Sequence, residues 1–393
     1  MTEKIYDKDP HILKFDAVVL SCEKMDTHYG VVLDRTAFFP EEGGQGCDAG
    51  TLDGQPVLHV SIDKENILTH LLASPLPVGA RVSGEVDWAR RFDYMQQHTG
   101  EHILSGLVHS HFGFDNVGFH LGTEITTLDF NGVLTPEQLL QMETLANEAV
   151  FADLPVKTSF PSPDELAALS YRSKIALNGP VRIVEIPGID LCACCAPHVD
   201  RTGQIGMIKV VDMQSHRGGV RLTLLCGSRA LARCQAQQDC LSALSALLSA
   251  KPDCITEAVL RLKEESNSRK ERINDLQAKL LSLRLSTLPT DDPCAPVLLF
   301  EEEMDMKAVR DAVNTLTAER SGYCAIFVGG GDAGYSFILG SSGLDCNAAA
   351  AALRNELKAK CGGSAQMIQG SVAADRTAIR ALLSHLSGSS PSA

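Results

Sequence analysis

Residues 87–113 read DWARRFDYMQQHTGEHILSGLVHSHFG. Trp88, Met95, Ile103, Leu104 and Leu107 recur at roughly helical spacing as far as His111 and the turn around Gly113, which predicts one helix carrying HTGEH. On such a helix His98 and His102, four residues apart, project from one face and reach a common ion. Two histidines at this spacing are by themselves a weak signal, since a surface or core pair looks the same.

Working outward, the stretch from Phe15 to Val86 alternates short Val-, Ile- and Leu-rich runs (AVVLSC, GVVLD, VLHVSI, ILTHLL, RVSGEV) with Gly, Pro and Asp turn signals. That pattern predicts a small β-barrel or curved sheet over residues 1–87. Residues 116–228 mix strand-like ITTLDF, VRIVEI, IGMIKVVD and VRLTLLC with a helical PEQLLQMETLANEAVFA, in which Pro136 suits a first turn. With the histidine helix they form an α+β core over 88–228. From 229 to 290 the chain is helical in character. Ile255, Val259, Leu262, Ser266, Arg269, Ile273, Leu276, Leu280 and Leu283 follow steps of four and three, the seam of a helical hairpin, packed linker or dimerisation helix. VLLF, YCAIFVGG and YSFILG then alternate with helices expected at 305–319, 347–360 and 373–387, predicting a small α/β domain over 291–393 with SGSSPSA as a frayed tail. The fold class expected is therefore α+β: an N-terminal small β-barrel, a metal-binding core, a helical linker and a C-terminal small α/β domain.

The chain has 393 residues and a formal net charge of -14. That charge argues against broad nonspecific nucleic-acid binding and leaves room for a local basic groove. No stretch is apolar enough to span a bilayer, and the opening MTEKIYDKDPHILKFD is charged where a secretory signal would be apolar. A cytoplasmic protein with no membrane partner is expected. The thirteen cysteines are then not a disulfide framework, and only those with ligand spacing count as chemistry.

Cys194 and His198 supply a second pair, C-x-x-x-H, directly after VRIVEIPG, where a loop could present both to the helix. One thiolate and three imidazoles suit one zinc ion per chain. Cys192 and Cys195 are minor alternatives to Cys194, and Cys195 also reads as a packing residue. His109, His111 and His120 fit no further ligand position and read as solvated or hydrogen-bonded. Four protein ligands normally close a structural site, whereas catalytic zinc keeps one position for water or substrate, so catalysis requires that one ligand be displaced or that the metal expand its coordination.

Several ordered motifs resemble the stand-alone alanyl-tRNA editing proteins, the AlaX group, which are similar to the editing half of alanyl-tRNA synthetase. TAFFPEEGGQGCDAG at 36–50 resembles the family segment T-x-F-Y-P-x-G-G-G-Q-x-x-D-x-G, and DWARRFDYMQQHTGEHILS its metal helix. GFHLG at 118–122, TLDF at 127–130, CCAPHV at 194–199 and RGGVRLTLLCG at 217–227 resemble the segments that follow. The helices after 228 and CGGSAQMIQGS at 361–371 resemble the DHH-associated C-terminal domain of the synthetase and of the long AlaX form. The resemblance implies editing without charging. Its metal ligands fall on His98, His102, Cys194 and His198. Its substrate pocket falls on Thr36 and Gln45, with Gly43 and Gly44 letting backbone approach the aminoacyl end or simply making a tight turn. Two positions depart from the family: Glu42 stands where glycine is usual, and Ala196-Pro197 replaces Gly-Thr before His198.

The activity so implied is zinc-assisted hydrolysis of mischarged tRNA(Ala), with serine the first expected target and glycine the second. A small pocket discriminates weakly against an added hydroxyl, whereas a site built to hydrogen-bond that hydroxyl discriminates strongly. Thr36 and Gln45 are the candidates for this recognition. Glu101 is a candidate base, or a second-layer or surface ion-pair residue, because it sits about 100° around the helix from His102. Arg217, Arg221, Arg90, Arg91 and the basic stretch from Arg261 to Lys279 are candidate phosphate contacts or solvated charges. A homodimer through the helical and C-terminal regions is a further expectation. Two other readings compete: an H-x-x-E-H zinc peptidase with Glu101 as base, which needs an acidic third ligand, and a non-catalytic tRNA-binding module with structural zinc.

Overall fold

The computed structural model describes residues 2–173, 181–289, 291–330 and 333–388; of the expected frayed tail at 387–393, Ser387 and Gly388 end the helix Arg376–Gly388 and the rest lies outside the described residues. The chain is α+β and divides into two compact units, Met1–Ala243 and Leu244–Ala393. The division falls within a helix, inside the stretch expected as a linker.

In the first unit, seven antiparallel strands form one sheet in the order Gln55–Pro56, Gly50–Leu52, Arg81–Val86, Lys14–Met25, His28–Leu33, Leu68–Leu72 and His59–Ile62. Lys14–Met25 pairs with Arg81–Val86 along its first half and with His28–Leu33 along its second, with a bulge between Val19 and Ser21. A bulge increases local twist, and here it curls the sheet around a core of Phe15, Val19, Leu33, Phe38, Leu52 and Leu72. The two outermost strands do not pair with one another, so the expected barrel is an open, curved sheet. Glu3–Lys4 runs parallel to Arg35–Thr36 and leads into a single 3-10 turn, Ile5–Asp7.

Helix α1 spans Trp88–Phe112. Asp87 caps it by accepting from Ala89 N and Arg90 N, and left-handed Gly113 closes it with its N–H on His109 O. Arg91, fully buried, is ion-paired to equally buried Asp48 and donates to the carbonyls of Pro10 and Ala37. This corrects the reading of Arg91 as a phosphate contact, because every direction its guanidinium takes is spent on the protein. The same pair ties the curved sheet to α1 across the expected boundary at residue 87.

Around α1 lie α2 (Pro136–Phe151) and a four-stranded sheet ordered Asn116–Leu121, Thr126–Phe130, Gly219–Cys226, Ile208–His216. A three-stranded sheet of Lys157–Ser159, Ile183–Ile186 and Asp190–Ala193 completes the surroundings. The helix is buried at nearly every residue from Tyr94 to Val108 because sheets and hairpins close on several of its faces. Gly106 permits one of these contacts: a Cβ there would lie 2.4 Å from Ile189 O and 2.8 Å from Asp190 Cβ.

In the second unit a helix at Ile255–Ser286 buries Leu281 against Val309, Ala312 and Val313 of the helix Met306–Glu319. Val259, Leu262, Ile273, Leu276, Leu280 and Leu283 of the expected seam are exposed, so the helix packs through a different face. The five-stranded sheet that follows has one parallel pair, Val297–Glu301 with Cys324–Gly329, and its remaining pairs are antiparallel. Strand and helix alternation had suggested an α/β sheet. Cys324–Gly329 and Tyr335–Gly340 are too close in sequence for a crossover connection, so they pair antiparallel.

Candidate metal centre

The four ligands expected from spacing meet. One ligand atom from each of His98, His102, Cys194 and His198 lies within 4.8 Å of the others. Cys194 Sγ is 3.5 Å from His98 Nε2 and 3.4 Å from His198 Nε2. A tetrahedral zinc with ordinary bond lengths has a sulfur-to-nitrogen edge of about 3.5 Å.

Each imidazole turns Nε2 inward because its Nδ1 is held by a partner. His98 Nδ1 donates to Gln45 Oε1 at 2.7 Å, His102 Nδ1 to Asp190 Oδ2 at 2.9 Å and His198 Nδ1 to Thr99 Oγ1 at 3.0 Å. Such outer hydrogen bonds fix the tautomer and raise the basicity of the ligating nitrogen. Asp190 is itself gripped by Arg172, Nε to Oδ1 at 2.7 Å and Nη2 to Oδ2 at 2.9 Å.

The electrostatics favour a cation among these groups. Burial opposes ionisation of Cys194, but the His98, His198 and His102 rings gathered around its sulfur outweigh burial and hold its thiol well below the usual range. Burial pushes His198 down to about 3, so its ring is neutral and keeps its lone pair. Burial also acts to lower His102, yet Asp190 and Cys194 outweigh it and hold its pKa well above the ordinary value. Affinity for a proton at that ring is also affinity for a metal that replaces it. The donor set, its spacing and its charge therefore fit a zinc ion.

Cys192 forms a second grouping with His102 and Asp190. The Asp190 carboxylate is already committed to Arg172 and the His102 Nδ1 side, and burial pushes the Cys192 thiol up. Cys195 packs with Tyr6, Phe39 and Ala196, as its packing reading expected.

A cavity of about 510 Å³ opens on His98, His102 and Cys194 and is walled by Gly43, Gly44 and Phe119, with the segment Lys4–Asp7, Glu42 and Arg182 on another side. Left-handed Gly43 (φ 62°) and Gly44 (φ 84°) form the turn closed by reciprocal backbone bonds between Glu42 and Gln45. A Cβ on Gly44 would lie 2.4 Å from Phe119 O, so the turn presses directly on the neighbouring strand. Gln45 is not itself among the lining residues; it is 1% exposed, and its Nε2 has no hydrogen-bond partner among the described residues.

Thr36 lies outside this cavity lining, fully buried: its hydroxyl accepts from Phe38 N at 3.1 Å and is 2.9 Å from His70 Nε2. Glu101 is also fully buried, which corrects its reading as a surface ion pair. Its Oε1 accepts from Ser105 and Asn116, both at 2.7 Å, and its Oε2 is 3.8 Å from His102 Nε2. Arg221 is held in a two-pronged pair with Asp129 at 2.6 and 2.7 Å, while exposed Arg217 sits with Gly218 at the tip of a hairpin. Arg90 stacks over Tyr94 at 5.1 Å. Sequence reasoning missed Asp190, Thr99, Arg172, Tyr6, Asp7 and Arg182. Only Asp190 and Thr99 carried a usable signal, a polar residue next to or four before a ligand.

A helix and a facing loop thus share a centre of three histidines and one cysteine. The sequence model of the threonyl and alanyl tRNA synthetase second additional domain matches residues 181–222, which include Asp190, Cys194 and His198. The alanyl-tRNA editing protein Aarsd1 of Danio rerio is 31% identical over 275 residues, covering 65% of this chain and 66% of that protein. The alanyl-tRNA editing protein AlaX-L of Pyrococcus horikoshii is 29% identical over 290 residues, 71% and 72% of the two chains. An alanine–tRNA ligase of Methanopyrus kandleri is 31% identical over 360 residues, 84% of this chain but only 39% of the ligase. The chain belongs to the alanyl-tRNA editing protein family, AlaX type.

Proposed function

We propose that this protein is a trans-editing hydrolase that removes the amino acid from mischarged tRNA(Ala), Ser-tRNA(Ala) first and Gly-tRNA(Ala) second, with one zinc ion on His98, His102, Cys194 and His198. The observation that carries the reading is that a fitted His3Cys set faces a cavity on its His98, His102 and Cys194 side. Relatives named as alanyl-tRNA editing proteins support the substrate class. Cytoplasmic location, where charged tRNA circulates, belongs to the same proposal.

When bound, zinc would polarise the ester carbonyl or lower the pKa of a water. Gln45 is anchored through Oε1 on His98, which leaves Nε2 to donate to a bound acyl group or serine hydroxyl. A donor so buried is poorly satisfied by alanine, and this is the basis for sparing the correct product. Glu101, with Oε2 beside His102, is the candidate to hold a proton taken from water. Thr36 acts in this reading through the fold, as the partner of His70. Exposed Arg217 is the candidate phosphate contact, whereas Arg221 is already matched by Asp129.

The peptidase reading needs an acidic ligand. Asp190, the carboxylate grouped with His102, lies on the Nδ1 side of the ring, away from the shared centre. Deacylation of a panel of Ser-, Gly- and Ala-tRNA(Ala) tests the proposal. Hydrolysis of the serine ester with alanine spared supports it, and equal hydrolysis of all three, or none, rejects it.

A further inference from the structure

Glu42 stands beside the Gly43–Gly44 turn and lines the cavity. Among the described residues, four charged side chains other than the metal ligands line the cavity: Lys4, Asp7, Glu42 and Arg182. Arg182 is committed to the Cys194 and Ala196 carbonyls at 3.1 and 2.7 Å, and with Lys4 it compensates Asp7. Glu42 has no ion-pair partner among the described residues; the Cys195 thiol hydrogen-bonds its carboxylate, while its Oε2, buried from solvent, has no hydrogen-bond partner among the described residues. Independently of the acidic groups, Tyr6 lines the same cavity with only 2% exposure, and its hydroxyl also lacks a hydrogen-bond partner among the described residues. Its ring is fixed edge-on against Phe39 and packs on Cys195 and Ala196, so the hydroxyl is held in place. A buried carboxylate oxygen without a donor of its own, beside a tyrosine oxygen that also lacks one, can be satisfied by a compact cationic donor.

We propose that Glu42 Oε2 and Tyr6 Oη form a subsite for the α-ammonium group of the aminoacyl ester, placing its carbonyl toward the His98, His102 and Cys194 face. This inference rests on the deacylase reading above. Every aminoacyl ester carries the same ammonium, so the subsite orients the substrate and excludes acyl groups without a free amine. Choice among side chains is left to Gln45. Peptidyl and N-blocked esters are the chemical class it turns away.

The test is calorimetric binding to the zinc-loaded protein of two non-hydrolysable probes, 3′-(L-seryl)amino-3′-deoxyadenosine and its N-acetyl derivative. The intact protein is expected to bind the free-amine probe about tenfold or more tightly than the acetylated one. Glu42→Gln should remove most of that preference by weakening the free-amine probe alone, and Tyr6→Phe should remove part of it. Glu42→Ala provides a second variant if Glu42→Gln fails to fold, with the same expected loss. Persistence of the amine preference in a folded Glu42 variant overturns the subsite. If the intact protein hydrolyses Ser-tRNA(Ala) yet binds both probes equally, the subsite falls and the deacylase reading stands. If it neither hydrolyses the ester nor binds either probe, both fall.

Discussion

Asp190 accepts the Nδ1 proton of His102 at 2.9 Å while Arg172 grips the same carboxylate from its other side. Burial works against ionisation of Asp190, but its hydrogen bonds to His102 and Arg172 prevail and keep its pKa below the ordinary value. The carboxylate therefore fixes His102 with Nε2 toward the shared centre. Replacing Asp190 by Asn should weaken zinc affinity about 10- to 100-fold, read by competition with a chromophoric chelator. Unchanged affinity would remove Asp190 from the account of the metal site.

Gly106 lets this contact form, since a Cβ would collide with Ile189 O and Asp190 Cβ. In an exposed helix, Gly→Ala stabilises by about 1 kcal/mol. Here Gly106→Ala should instead lower the melting temperature and weaken zinc binding in parallel, because the hairpin carrying Asp190 must move. A rise in melting temperature would show that the hairpin yields without cost.

Neutral His70 sits in the core of the curved sheet, with its ring nitrogens near Thr36 Oγ1 and Val31 O. Burial pushes its pKa down to about 4, and its bond to the Val31 carbonyl only partly opposes this. Because the folded value lies below the unfolded value of about 6.5, this contribution to stability is complete above that pH and is lost as pH falls toward 4. The difference corresponds to about 3 kcal/mol at most. Denaturant titrations at pH 7 and pH 4 should show a smaller pH-dependent loss for His70→Gln than for the parent chain. Equal losses would place the acid sensitivity elsewhere.

Arg91 and Asp48 are both fully enclosed, and Asp48 also accepts from Phe39 N at 2.6 Å. Arg91→Met leaves a buried carboxylate unpaired and should cost about 3–5 kcal/mol. Arg91→Met combined with Asp48→Asn should recover part of that loss, since no unpaired buried charge is left. Urea unfolding of both variants measures the difference.

The residues that could be read in advance were those whose spacing has one geometric solution. His98 and His102 had to share a helix face, and a C-x-x-x-H loop after a strand had to present its ligands together. The groups that orient the ligands were harder to read, because hydrogen-bond partners come from distant segments: Gln45 reaches His98 across 53 positions and Asp190 reaches His102 across 88. Lys4, Tyr6 and Asp7 gave no signal at all, since a short parallel strand beside Arg35–Thr36 carries them to the cavity. Arg91 misled for the opposite reason. It follows Arg90 in a basic pair, and only the long-range partner Asp48 makes it a core residue.

The central claim is that one zinc ion on His98, His102, Cys194 and His198 is required for ester hydrolysis. Zinc content and Ser-tRNA(Ala) deacylation should be measured together on the purified protein, after chelation, after zinc is restored, and in Cys194→Ala and His102→Ala. The account predicts one zinc per chain, loss of zinc and deacylation together on chelation or in either variant, and recovery of both in the parent chain when zinc returns. Full deacylation by a zinc-free protein that remains folded would contradict it.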